Sequence, residues 1–134
     1  MELWELVARE QIRTTLGAYT HAGDRGRADD MAALFTADGV LDAVGHEPAV
    51  GREAIAAQVR AWAEGHTGGP LRHHVSSIRI THLEPDRAEV HSYYLVLTAD
   101  RADHWGRYRD EMVPDGDRWA FRRRTVTLDG QTPV

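Results

Sequence analysis

The 134-residue sequence contains no cysteine and no lysine. Without cysteine there is no disulfide framework, no thiolate nucleophile and no Cys-ligated zinc, and without lysine there is no Schiff-base catalysis. No apolar run approaches the roughly 18–20 residues that cross a bilayer. The start of the chain, MELWELVARE, is acidic and amphipathic, unlike a secretory signal. We therefore predict a cytoplasmic protein without a membrane partner.

Basic charge is also scarce, because 16 arginines face 21 carboxylates for a net charge of −5. Such a balance argues against a nucleic-acid partner. The sequence has no GxGxxG, P-loop, GxSxG, CxxC or HExxH motif, so dinucleotide, NTP, serine-hydrolase and thiol-redox chemistry have no support. We predict a single domain over residues 1–134 that needs neither a cofactor nor a metal.

The first half of the chain has the periodicity of amphipathic helices. Apolar residues at three-to-four spacing predict a first helix, with Gly23 as its C-terminal stop. Two shorter helices follow, with a brief strand between them around Val40, Leu41 and Val44. The predicted helices span Glu2–His21, Asp29–Phe35 and Arg52–Glu64.

After Pro70 the pattern changes to long segments rich in Val, Ile, Thr, Tyr and Trp. Short breaks separate them, which predicts antiparallel neighbours. Helices first and a meander last indicate an α+β fold, with the helices on one face of a curved antiparallel sheet. The predicted strands are Leu71–Leu83, Ala88–Ala99, Asp103–Val113 and Arg118–Leu128.

Tyr19 and Asp24 form a first candidate functional group. On an uninterrupted helix, residues five apart point about 140° away from each other. Both side chains would face one cavity only if the helix ended between them, at Gly23. The structural alternative makes Tyr19 a core aromatic residue and Asp24 a loop or capping residue.

A second candidate is the start of the first long strand, where two histidines are adjacent. Alternation along a strand places His73, Val75 and Ser77 on one face and His74 on the other. Only one histidine can therefore look into the interior, and the pair makes a poor metal site. The alternative is a surface or hydrogen-bonded structural histidine.

Three consecutive arginines lie on the last strand. Alternation places Arg123 on one face and Arg122 and Arg124 on the other. We expect two of the three to be solvated or paired. A buried arginine facing a cavity would bind an oxyanion or a leaving group.

Six motifs in this order resemble the SnoaL-like branch of the nuclear-transport-factor-2-like superfamily over nearly the whole chain. The resemblance implies a cone-shaped α+β barrel: three helices close a strongly curved antiparallel sheet around a deep apolar pocket. It also implies homodimers through the outer face of the sheet. The motifs are Tyr19…Asp24, LFTADG at 34–39, GREAI at 51–55, RHHVS at 72–76, GRYRD at 106–110 and RW…R at 118–124.

Members similar to scytalone dehydratase, bile-acid 7α-dehydratase and hexachlorocyclohexane dehydrochlorinase use an Asp–His dyad. The resemblance implies that Asp24 and His73 form this dyad, with Tyr19 as the preceding aromatic residue and Arg124 as the late-strand arginine. Ser77 stands where the family often has Asn. The implied activity is a cofactor-independent lyase, a dehydratase-type β-elimination on a small apolar or polycyclic oxygenated substrate, with His73 as general base.

Other functions remain open within the same fold. A polyketide cyclase or ketosteroid-isomerase-like enzyme would rely on one acid–base carboxylate, with His73 dispensable. A non-catalytic small-molecule-binding module would need no ordered Asp–His hydrogen bond, and a structural subunit of an oxygenase would need a persistent partner.

For the cavity we predict a lining of Tyr19, Asp24, Trp62, His73, Val75, Ser77, Tyr94, Val96, Tyr108 and Arg124.

Overall fold

A computed structural model describes residues 1–133, which contain three helices and six strands. None of the helices in this range is long and apolar enough to cross a membrane. In chain order the elements are α1 (Leu3–Asp24), α2 (Ala28–Ala32), β1 (Phe35–Ala43), β2 (Ala49–Val50), α3 (Arg52–Gly65), β3 (Arg72–Glu84), β4 (Arg87–Leu97), β5 (Ala102–Asp115) and β6 (Arg118–Gln131).

The six strands form one sheet in the order β2-β1-β6-β5-β4-β3. Strands β3 to β6 are the predicted antiparallel meander. Strand β1 pairs with β6 in parallel, so the sheet is mixed, and it stays open with β2 and β3 at its edges. The α+β fold of helices on a curved sheet is confirmed, although the sheet does not close into a barrel.

The second helix is shorter than predicted, and the strand after it begins earlier. Helix α2 ends at Ala32, and β1 starts at Phe35. Phe121 donates its backbone N–H to Leu34 O at 2.9 Å, and the rings of Phe35 and Phe121 lie 5.1 Å apart. Sheet pairing and aromatic burial therefore take these residues out of the predicted helix, because tertiary contacts override local propensity.

Gly23 is not the stop of the first helix, and that prediction is wrong. Helix α1 continues through Gly23 to Asp24. A Cβ atom at Gly23 would lie 2.6 Å from Met31 Cε, so the glycine allows α2 to pack closely on α1. The chain turns later, at Gly26, whose φ of +67° suits glycine.

The core lies between the helices and the inner face of the sheet. Buried residues recur along α1 and α3 at helical spacing, as at Ile12, Leu16 and Ile55, and on alternate positions of β4. Each fully buried large apolar side chain contributes on the order of 1.5–3 kcal/mol. These contacts fix α1 and α3 over the sheet and leave a cavity beneath their C-terminal ends.

One ion pair lies inside this core. Arg124 on β6 donates to both carboxylate oxygens of Asp110 on β5, from Nε at 2.8 Å and from Nη2 at 3.1 Å. Both side chains are fully buried. The Arg124 Cζ atom also lies 3.6, 4.2 and 4.5 Å from the ring centroids of Tyr108, Tyr19 and Phe121. The two hydrogen bonds to Asp110 and the aromatic faces around the guanidinium offset the cost of burying its charge.

Arg124 reaches this position because β6 contains a bulge. The register pairs Met112 with Phe121 but Glu111 with Arg123, which leaves Arg122 as the extra residue. Arg122 and Arg123 are consequently both exposed, while Arg124 turns inward. The predicted alternation, with Arg122 and Arg124 on one face, is wrong for this reason.

We expect disruption of either half of the Asp110–Arg124 pair to cost more stability than replacement of both halves. Asp110→Leu leaves a buried guanidinium without its counter-charge and should lower the free energy of unfolding by about 3–5 kcal/mol. Arg124→Met leaves a carboxyl whose pKa burial already raises, and it also removes the stacking on the tyrosines. The double variant, which leaves no buried charge, should lose less than Asp110→Leu alone in urea unfolding. Additive losses in this cycle would contradict the coupling.

Candidate active site

A cavity of about 530 Å³ lies beneath the C-terminal parts of α1 and α3 and over the inner face of strands β3 to β6. Its wall is mostly aliphatic and aromatic, with aspartate and histidine side chains among the polar groups. The volume is in the range of pockets that bind small organic ligands. Six of the ten predicted residues line it, namely Tyr19, Asp24, Trp62, His73, Tyr94 and Tyr108.

Tyr19 and Asp24 share the cavity although the helix between them is unbroken. The cavity extends around the C-terminal end of α1, because Thr20, Gly23 and Gly26 line it as well. Side chains that point in different directions from the last turns of this helix therefore meet the same space. The end of α1 at Asp24 therefore brings Tyr19 and Asp24 to one cavity, which the sequence analysis attributes to a break at Gly23.

Asp24 and His73 are in direct contact where α1 ends and β3 begins. His73 Nδ1 lies 2.6 Å from Asp24 Oδ1, and the backbone N–H of His73 donates to both carboxylate oxygens at 3.1 and 3.2 Å. Because a carboxylate only accepts, the proton in the side-chain bond belongs to Nδ1. This tautomer leaves Nε2 as the ring nitrogen that can take up a proton.

Burial determines the protonation state of the dyad. The side chain of Asp24 is 9% exposed and that of His73 is 24% exposed. Burial lowers the pKa of His73 below the usual 6.5, and the hydrogen bond and charge of Asp24 oppose this shift only in part. At neutral pH the imidazole is therefore neutral, which is the form required of a base.

Three tyrosines form the inner wall of the cavity. The rings of Tyr94 and Tyr108 stack at 4.7 Å, and Tyr19 meets Tyr108 edge-on at 5.9 Å. Burial raises the pKa of Tyr94 to about 12 and raises the pKa of Tyr19 and of Tyr108. All three phenols keep their protons at neutral pH. The hydroxyl of Tyr94 already donates to Thr127 O at 2.8 Å.

Ser77 does not line the cavity, and neither do Val75 and Val96. The register of β3 pairs Ser76 with Tyr93 and then Arg79 with His91, so two residues of β3 oppose one of β4. Ser77 lies in this bulge with a φ of +52° and is exposed. The prediction assumed unbroken alternation, and the bulge reverses it. Val75 and Val96 do face inward, but they pack into the core instead.

Arg124 is also absent from the cavity lining, so its predicted place there is wrong. The side chain lies against the rings of Tyr19 and Tyr108, and two of its nitrogens are bound to Asp110. Arg124 therefore supports the cavity wall from behind, and its third nitrogen, Nη1, is buried without a hydrogen-bond partner among the described residues.

His104 is the main polar residue that the sequence analysis missed. It lines the cavity, packs edge-on against Tyr94 at 5.9 Å and places Nδ1 2.9 Å from Asp103 Oδ2. His104 and Tyr108 are an even number of positions apart on β5, so alternation along the strand would have placed His104 on the same face as Tyr108. Other lining residues that were not predicted include Met31, Val59, His66, Leu71 and Val126.

His and Asp side chains line the cavity, but residues 1–133 contain no group of three His, Asp or Glu residues that could hold a metal ion. The polar groups instead occur as separate Asp–His pairs on an apolar wall. Such an arrangement can move protons and orient a ligand oxygen.

Comparisons with known proteins agree with this architecture. A putative scytalone dehydratase from Novosphingobium aromaticivorans is 25% identical, with a TM-score of 0.84 over 98% of this chain and 91% of its own. An NTF2-like protein with a cystatin-like fold from the same organism is 27% identical, with a TM-score of 0.79 over 94% and 85%. ActVI-ORFA from Streptomyces coelicolor, 22% identical with a TM-score of 0.77 over 90% and 96%, shares the fold.

Among curated proteins no sequence matches this chain. The family model of the SnoaL-like domain, in contrast, matches residues 4–125, which is most of the sequence. The match covers the three helices except for Leu3, the cavity lining except for Val126, and the Asp24–His73 pair. The chain therefore belongs to the family of SnoaL-like domains.

Proposed function

We propose that this protein is a cofactor-independent lyase that removes water from a small, flat, oxygenated substrate. The observation that carries the proposal is the Asp24–His73 pair, which presents a neutral imidazole to an apolar, tyrosine-lined cavity. The similarity to a putative scytalone dehydratase supports a dehydration. The aromatic wall favours a planar bicyclic or polycyclic ligand.

In the proposed reaction His73 is the general base. Its Nε2 takes a proton from the carbon next to a carbonyl group, and the imidazole becomes positively charged. Asp24 holds Nδ1–H, so it keeps the ring in the reactive tautomer and offsets the new charge. Because both side chains are largely buried, this electrostatic support is stronger than it would be in solution.

The tyrosines bind the other end of the substrate. Tyr19 keeps its proton at neutral pH and can donate it in a hydrogen bond to the developing enolate oxygen. Tyr108 and Tyr94 offer a stacked aromatic surface to a planar ring. The substrate would thus be held between a hydrogen-bond donor and the base.

The geometry disfavours a cyclase or isomerase with a single acid–base carboxylate. Both oxygens of Asp24 accept hydrogen bonds from His73. These bonds tie the carboxylate to His73, so the free ring nitrogen of the imidazole is the group left to take a proton from a substrate. A non-catalytic binding module would have no use for this ordered pair, which supports an enzyme.

We expect the dyad variants to lose activity as a unit. With 3-hydroxy-1-tetralone as probe, elimination of water yields 1-naphthol, which absorbance or fluorescence detects. Asp24→Asn and His73→Ala should each lower kcat by about 10²–10⁴-fold. The double variant should be little worse than either single one, because groups that act together are not additive. Tyr19→Phe should cost less, since it removes one hydrogen bond and not the base.

His74→Ala is the matched control for these variants, because His74 is the adjacent, exposed residue on the opposite face of β3. It should keep wild-type activity, and EDTA should leave every rate unchanged. Full activity in His73→Ala would support the single-carboxylate cyclase or isomerase in place of the dyad.

We also expect activity to fall at acid pH through protonation of His73. Burial puts the pKa of this imidazole below 6.5, so kcat/KM should rise with pH through a midpoint below that value. The charged or titratable groups that act on His73 are Asp24 from α1, His104 from β5 and Arg124 from β6. Asp24→Asn removes a group that raises this pKa, and an NMR titration should show the His73 midpoint at still lower pH. A midpoint above 6.5 in the wild-type protein would contradict the assignment.

For the partner, we propose a second copy of this chain on the outer face of the sheet. Tyr93 on β4 and Trp105 on β5 point away from the cavity and are 55% and 38% exposed. Large aromatic side chains are enriched at protein interfaces. The other partner is the small-molecule substrate.

Light scattering after size-exclusion chromatography should give twice the mass of the chain. Tyr93→Asp places a charge on the proposed interface and should give a monomer. Val44→Asp, which changes an exposed apolar residue immediately after β1, is the control and should remain a dimer. A wild-type protein that elutes as a monomer would end the proposal of a dimer.

A further inference from the structure

A second Asp–His pair faces the cavity, and the proposed reaction has so far given it no role. His104 on β5 lines the cavity, and its Nδ1 lies 2.9 Å from the carboxylate of Asp103. As in the Asp24–His73 pair, the carboxylate takes Nδ1, so Nε2 is left for a ligand. The two imidazoles thus have the same orientation relative to their aspartates.

The two histidines lie on either side of Val96. In the sheet register Val96 is opposite His73 on β3 and opposite His104 on β5. Residues in register on neighbouring strands share a face, so the two Cα atoms are about 10 Å apart, which is twice the usual strand spacing. The charge of His104 is among the causes that lower the pKa of His73, after burial. A substrate in this cavity would therefore lie between two imidazoles.

The two Asp–His pairs differ in how far their side chains are exposed to solvent. Asp24 and His73 are 9% and 24% exposed, whereas Asp103 and His104 are 46% and 35% exposed. The Asp24–His73 pair is therefore the more enclosed of the two, and the Asp103–His104 pair is the more accessible to solvent. Two titratable groups in contrasting environments are the usual basis for a division into base and acid.

Some of the other polar groups near the cavity already have hydrogen-bond partners. Arg124 is bound to Asp110 and lies outside the lining, and the hydroxyl of Tyr94 donates to Thr127 O. His66 Nε2 lies 2.5 Å from Gly69 O. A hydroxide ion is a poor leaving group, so the departing oxygen needs a proton from some group in the cavity. His104 keeps Nε2 for this purpose, because Asp103 takes its Nδ1, while the hydroxyl of Tyr19 is assigned to the enolate oxygen.

We propose that His104 is the general acid of the elimination, an inference that rests on the proposed function. His73 Nε2 takes the proton from the carbon next to the carbonyl, and that electron pair forms the C=C bond. As the C–O bond at the β-carbon breaks, its electrons stay on oxygen, and the Nε2 proton of the His104 imidazolium joins it. Water leaves, His73 then loses its proton to solvent, and His104 takes one up, so the net reaction is loss of H₂O.

The test compares two leaving groups on one ring system. Both 3-hydroxy-1-tetralone and 3-acetoxy-1-tetralone give 1-naphthol, but acetate departs without protonation. His104→Gln should therefore lower kcat for the hydroxy compound by at least about 100-fold and change kcat for the acetoxy compound by less than about 3-fold. His73→Gln should lower both rates, because both eliminations need the base. Rates are corrected for elimination in buffer.

His91→Gln is the control, a histidine on the same sheet at a position whose side chain is not part of the cavity lining. It should leave both rates unchanged, and circular dichroism should show that all three variants are folded. Equal losses on both substrates in His104→Gln, or no loss on either, would overturn the acid role while the elimination stands. If the wild-type protein converts neither compound, the proposed elimination fails, and this role of His104 fails with it.

A binding measurement separates these outcomes further. In a ¹⁵N-labelled protein, addition of 1-naphthol should shift the imidazole signals of both His73 and His104. The signals of His74 should stay where they are. Saturation with 1-naphthol that moves His73 and leaves His104 unchanged would overturn the inference, whatever the turnover data show.

Discussion

The buried guanidinium of Arg124 is the interaction on which the shape of the site depends. A charge at this depth is tolerated because Asp110 binds it through two hydrogen bonds and because three aromatic rings pack around it. The rings of Tyr19 and Tyr108, held against Arg124, also line the cavity. The ion pair therefore supports the aromatic wall from behind.

A second constraint holds Asp24 and His73 together where α1 meets the sheet. Asp24 ends the helix, and its carboxylate accepts bonds from both the backbone and the ring of His73. The Asp24 side chain thus joins α1 to β3 through a residue 49 positions away, and it sets the tautomer of the imidazole. Structure and proposed chemistry depend on the same bonds, so Asp24→Asn should affect both and requires a stability measurement beside the activity.

Membership of the SnoaL-like family establishes the fold and leaves the reaction to be decided by the cavity. In this chain the cavity is apolar and aromatic, with two Asp–His pairs at different depths. Arg124, which the resemblance placed at the reaction, is engaged elsewhere, and Ser77 is on the outside of the sheet. The proposed roles of His73 as base and His104 as acid depend on residues of this sequence within a fold that the family shares.

The sequence by itself determined the α+β class, the helix and strand segments and the inward orientation of His73, because hydrophobic periodicity and strand alternation are local. The resemblance added the pairing of Asp24 with His73, which spacing alone did not show.

Tertiary structure decided the rest. Bulges at Ser77 and Arg122 reverse the alternation, and a bulge depends on how two strands pair. The burial of Arg124 required Asp110 in register on the neighbouring strand. Such contacts join residues that are distant in the chain, so no local pattern records them.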